Sequence, residues 1–166
     1  MKYSFFLVIL LIPLNLFSQY LFENEEVLYS FKTTNNKRVV VIKEKNNEYI
    51  QYRFGTPDRI EMEFPAERNK ESWALFQYIF YVRGGGKANS GQEIANLCFT
   101  NKGYKYLIYD TYFAESEKLA TGILVTNLQN NKTTRIKGIR KNRKESLFFL
   151  DSETPLKFDE QAGFDF

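Results

Sequence analysis

The sequence predicts an all-β protein: a single-domain antiparallel β-sandwich or up-and-down β-barrel of about nine or ten strands. Three observations carry this prediction. From residue 26 onward, short runs of alternating apolar and polar residues are separated by turn-prone clusters. The chain holds 16 Phe, 11 Tyr and one Trp, large rings that favour strands and cores. Outside the N-terminal segment, no apolar stripe repeats at the helical period of about 3.6 residues.

The first segment, MKYSFFLVILLIPLNLFS, places Lys2 before a nearly unbroken apolar run over residues 5–14 and ends on the small polar residue Ser18. That is the layout of a secretory signal peptide, residues 1–18. A bilayer crossing needs about 20 apolar residues, and here Pro13 and Asn15 interrupt a shorter run, so no transmembrane anchor is expected after processing. Cleavage after Ser18 leaves Gln19 first, and cleavage one residue later is equally compatible. No cysteine adjoins that boundary, and the only one, Cys98, has no internal disulfide partner. About 148 residues then remain, which suits one β-domain over residues 19–150 and a C-terminal tail over residues 151–166. Losing Lys2 lowers the formal charge from +3 to +2, so charge arguments have to be local.

The strands follow in order. VLYSFKT from Val27 and RVVVIKE from Arg38 flank the turn pair Asn35-Asn36. NEYIQYRF puts Tyr49, Gln51 and Arg53 on one face and Ile50, Tyr52 and Phe54 on the other. Gly55-Thr-Pro57-Asp reads as a turn, and RIEMEFP resumes the alternation with Ile60, Met62 and Phe64 toward the core. WALFQYIFYVR is apolar on both faces, as a central strand would be. EIANLCFTN and YKYLIYDTYF form a hairpin through Lys102-Gly103, and KLATGILVTNL and KTTRIKGI another through Asn130-Asn131. SLFFL is the last candidate strand.

Taken in order, YRFGTPDRIEMEFP, YVRGGG, FTNKGYKYLIY and GILVTNL resemble an uncharacterised group of small exported bacterial β-proteins, over roughly residues 49–138. The resemblance implies a bacterial protein, periplasmic or secreted. It implies no activity, cofactor or catalytic residue.

The residue inventory excludes much chemistry. There is no histidine, which removes the commonest general base and the commonest zinc ligand together. No metal, cofactor or nucleic-acid partner is expected. Cys98, between Leu97 and Phe99, reads as a buried thiol. Glu61 and Glu63 share a strand face about 7 Å apart, a spacing compatible with paired-carboxylate sugar hydrolysis and equally with a solvated charged face. Asp110 lies among aromatics, where burial would raise its pKa unless Lys105 or an arginine pairs with it.

Two segments suggest binding. In YVRGGGKANSGQEI, a Walker loop is ruled out because Gly86-Lys87 is followed by Ala88 between strands. The loop is either a long hairpin connection or an anion-binding nest. The nest would use the backbone of Gly84, Gly85 and Gly86, charge from Arg83 and Lys87, and orientation from Asn89 and Ser90. The second segment, KTTRIKGIRKNRK, carries Lys132, Arg135, Lys137, Arg140, Lys141, Arg143 and Lys144 with no acidic residue, an anionic-surface patch that an acidic tail could neutralise. The expected function is therefore a non-enzymatic exported β-domain that binds a protein partner or envelope polymer, as an inhibitor or accessory factor. The alternatives are a carbohydrate-active enzyme using carboxylates and a structural subunit of an envelope complex.

Overall fold

The computed structural model describes residues 20–159, so the signal-peptide segment and the last residues of the tail, 160–166, lie outside it. Nine strands form one antiparallel sheet: β1 (Glu25–Thr33), β2 (Arg38–Glu44), β3 (Ile50–Thr56), β4 (Arg59–Phe64), β5 (Gln77–Arg83), β6 (Gln92–Asn101), β7 (Tyr104–Phe113), β8 (Lys118–Asn127) and β9 (Thr133–Lys144). Their order is β4-β3-β2-β1-β9-β8-β7-β6-β5, two meanders joined where β1 pairs with β9. The turns are those the polar pairs dictate: Asn36, Lys102, Gly103 and Asn131 all take positive φ.

Nearest neighbours in sequence pair in space, yet the sheet is not flat. Phe64 of β4 stacks on Phe99 of β6 with ring centroids 4.4 Å apart. In a flat sheet seven strand spacings of about 4.8 Å would separate those strands by roughly 34 Å. The sheet therefore curls into a half-barrel, open between β4 and β5. Its concave face holds the main core, with Tyr29, Phe31, Val41, Tyr52, Leu97 and Ile108 among the buried residues. The convex face carries two smaller clusters, Tyr20 with Val40, Ile42 and Tyr49, and Cys98 with Leu107, Tyr109 and Leu124.

Three expectations are corrected. The run WALFQYIFYVR is not one central strand. Residues Lys70–Leu75 form a 3-10 helix, and Gln77–Arg83 is the edge strand β5. Both its faces are apolar at an edge because the C-terminal segment lies against the concave side, where Phe149 and Phe158 pack on Phe80. SLFFL is not a strand either. It turns into a short helix α1 (Leu150–Glu153), through Phe149 at φ 64°, and drops Leu147 and Leu150 into the core. Finally, Ile60 does not share the core face with Met62 and Phe64. A register shift leaves Glu61 unpaired and sets Ile60 opposite Gly55, against the convex cluster. Gly55 is required there, since a Cβ would fall 2.1 Å from the Arg59 carbonyl oxygen.

The tail docks as far as it is described. Leu156 is buried in the main core, and the Asp159 N–H donates to the Tyr78 carbonyl at 2.8 Å.

Candidate functional site

The glycine loop sits at the tip of the β5–β6 hairpin, and residues 83–90 are all exposed. The loop closes on itself. Gly91 N–H donates to the Gly86 carbonyl at 2.7 Å, and the Arg83 guanidinium donates twice to the Ser90 carbonyl, at 3.0 and 2.6 Å. Gly85 and Gly86 have φ of 95° and 58°, and a Cβ on Gly85 would strike the Asn89 side chain at 2.3 Å. Ala114 N–H donates to the Gly91 carbonyl, tying the loop to the β7–β8 turn, and Lys87 pairs with Glu117 of that turn at 2.6 Å. The residues read from sequence are thus gathered into one protruding, ordered tip. Arg83 holds the loop's shape, whereas Lys87 sits in an exposed pair worth little and free to exchange partners.

The strand beneath that tip is an edge among the described residues. Among the described residues β5 pairs with β6 on one side only, apart from the bridge at Tyr78. Tyr81 and Val82 are 37% and 47% exposed, large values for apolar residues on a strand. Beside the lower end of β5 an open cleft of about 680 Å³ is floored by Trp73, Phe76 and Phe158 and flanked by Lys70 and Lys157.

The basic segment does not form one patch. Strand alternation sends Arg135 to the convex face, its guanidinium 5.8 Å from the Tyr109 ring centroid, and Lys137 pairs in register with Gly122 beside it. Lys132 lies in the β8–β9 turn. The ladder with β1 is irregular between Ile139 and Lys144, and from this stretch Arg143 reaches Asp110. Arg140 lies close enough to act on that carboxylate, and its Nη1 is buried without a hydrogen-bond partner. Lys141 is exposed, and Lys144 lines a convex-side groove with Ser30 and Asn142.

Asp110 is 1% exposed on the concave face. Burial pushes its carboxyl up, against the pull of Arg143, Arg140 and the Leu147 N–H. This carboxylate joins β7, β9 and the start of the C-terminal segment as a latch. Of the two kinds of partner the sequence offered, an arginine, Arg143, pairs with Asp110, while Lys105 stands opposite Thr100 nearer the start of β7.

A second buried network escaped sequence reasoning. Arg53, fully buried, grips Glu25 through two 2.6 Å hydrogen bonds and donates to Gln51 and to the Tyr20 carbonyl, each at 2.8 Å. Tyr49 donates to Glu25 at 2.7 Å, and Phe22 lies over both Arg53 and Arg68. Burial alone would raise the Glu25 carboxyl, but hydrogen bonds from Arg53, the Phe22 N–H and Tyr49 outweigh it and hold the group below the usual range. Burial and that same carboxylate push Tyr49 up to about 12. Only the placement of Arg53 opposite Ile50, Tyr52 and Phe54 hinted that an arginine stood amid strand residues.

Glu61 and Glu63 are both engaged. Glu61 pairs with Lys37 and Arg59, and Glu63 with Arg53 and Arg68, so cations surround the two carboxylates. Among the described residues no group of three or more His, Cys, Asp or Glu could hold a metal ion, and no helix is long and apolar enough to cross a membrane.

Comparison with protein-family models, curated proteins and solved structures finds no match to this chain. The fold defines its class, an all-β half-barrel of nine described strands.

Proposed function

We propose that this chain is an exported, non-catalytic binding domain that recognises a protein partner through the open edge of β5 and the glycine loop above it. The contrast between the two sheet edges carries this reading. Edge strands invite another strand unless charge, a bulge or proline blunts them. β4 is blunted by Arg59, Glu61 and Glu63, a register shift, and Pro65 just beyond it. β5 runs Tyr78, Ile79, Phe80, Tyr81, Val82 with no charge before Arg83. Such an edge supplies main-chain hydrogen bonds to an added strand, and the loop residues Arg83, Lys87, Asn89 and Ser90 supply selectivity. The export-type segment at residues 1–18 and the resemblance to small exported bacterial β-proteins support a periplasmic or secreted setting, and an inhibitor or accessory role suits a domain without histidine.

The test is affinity capture from an envelope extract with residues 19–166, set against Val82→Pro and Arg83→Ala/Lys87→Ala. A discrete protein retained at high salt and lost in both variants is the expected result. Equal capture by the variants refutes the site. Anionic polymer or lipid alone, released at moderate salt, moves the function to the basic residues of β9.

A further inference from the structure

The two meanders meet at a seam that does not close evenly. Between the rungs Ser30–Lys144 and Lys32–Ile139, β1 advances two residues and β9 five, so β9 carries three residues more than the ladder needs. The surplus sends side chains to both faces. Arg143 turns inward to Asp110, whereas Asn142 and Lys144 stay outside and, with Ser30 and Lys32 of β1, border a groove on the convex face. Val27, Val40 and Tyr20 give the groove apolar walls, and its volume is about 100 Å³. Sites that enclose a whole small molecule run to about 300–1,000 Å³, so this one admits a slender chain and not a ring system.

Three cations rim the groove, Lys32, Arg38 and Lys144, and none of its lining residues is acidic. Lys32 and Arg38 stand directly opposite each other in register, and like charges so placed repel. Arg38 is set over the Tyr20 ring, its guanidinium 5.7 Å from the centroid. Cations above an aliphatic slot match a ligand with a negative head and an unbranched apolar body.

We propose that this groove binds the carboxylate end of a fatty acid. The Arg38 guanidinium offers paired N–H donors to the two carboxylate oxygens, Lys32 and Lys144 add charge, and Ser30 and Asn142 supply uncharged donors. The methylenes beside the carboxylate lie along Val27 and Val40. A bound carboxylate also offsets the repulsion between Lys32 and Arg38. The site lies at the β1–β9 seam in mid-sheet and needs nothing at β5, so it stands or falls apart from the partner binding proposed above.

Isothermal titration of the purified chain with decanoate, decanol and acetate tests it. The expected result is one decanoate per chain, bound at least about tenfold tighter than decanol, which lacks the charge, or acetate, which lacks the chain. Decanoate binding should weaken by about tenfold or more in Lys32→Gln/Arg38→Gln and in Ser30→Phe, which fills the groove. It should be unchanged in Arg135→Gln, which removes a charge from the same face outside the groove. A urea transition for each variant shows that it has folded. Equal affinity for decanoate and decanol overturns the proposal, as does acetate binding as tightly as decanoate. So does decanoate binding undiminished in either folded groove variant, or lost equally in Arg135→Gln.

Discussion

Replacing Arg53 by methionine is the sharpest test of how this half-barrel is held together. The side chain keeps similar bulk but loses the guanidinium, so Glu25 loses its two 2.6 Å hydrogen bonds while remaining 3% exposed. Removing one partner of a buried pair costs about 3–5 kcal/mol, because the other charge stays buried and unpaired. For a chain of this size that corresponds to a fall in Tm of about 6–20 °C. Urea unfolding followed by tryptophan fluorescence measures it, since Trp73 packs in the same core as Tyr52, the neighbour of Arg53 on β3. The Glu25→Leu/Arg53→Met double variant should recover most of the loss, as both charges then leave together. The pH dependence follows from the sign of the Glu25 shift. Its folded pKa is depressed, so wild-type protein keeps this contribution above the unfolded carboxylate pKa and loses it as pH falls through the lower folded value. In Arg53→Met burial dominates and the shift reverses, so acid stabilises the variant relative to wild type. A loss below about 1 kcal/mol, or a double variant as unstable as the sum of the singles, would refute the reasoning.

Other predictions follow from the same accounting. Asp110→Asn leaves Arg143 without its charge partner, and the expected local signature is faster exchange of the Leu147 amide. Because the Asp110 pKa is raised on folding, wild-type stability relative to this variant is greatest below the unfolded aspartate value and declines as pH rises through the folded one. Gly55→Ala and Gly86→Ala should separate cleanly by denaturant midpoint. The first drives a Cβ to 2.1 Å from a carbonyl oxygen and should cost over about 2 kcal/mol, whereas the second meets open space at φ 58° and should cost about 1 kcal/mol. Tyr78→Phe removes the hydroxyl that donates to the Leu147 carbonyl at 2.6 Å and accepts from the Leu150 N–H at 3.3 Å. It should cost about 1–3 kcal/mol and expose the C-terminal segment to limited proteolysis.

The strands were legible because alternation and turn chemistry are local. Asn36, Lys102-Gly103 and Asn131 mark hairpins that need no tertiary information to form. The gathering of Arg83, Gly84 to Gly86, Lys87, Asn89 and Ser90 into one loop was legible for the same reason. Where reading failed, a distant segment decided. SLFFL has strand composition, but the core beneath the open side of the sheet takes Leu147 and Leu150 from a turn and a short helix instead. The basic run looked uniform because a linear charge count cannot see that Arg143 turns to a carboxylate on β7 while Arg135 lies against a tyrosine on the same strand.

Sequence alone determined the class of fold and the positions of the turns, since each follows from side-chain identity and spacing of two. Tertiary structure alone decided that β5 is an edge, that Arg53 is buried against Glu25, and that Asp110 latches the C-terminal segment. Each of these depends on which strands the curl of the sheet brings together across 28 or more residues of chain, a separation over which local pattern carries no signal.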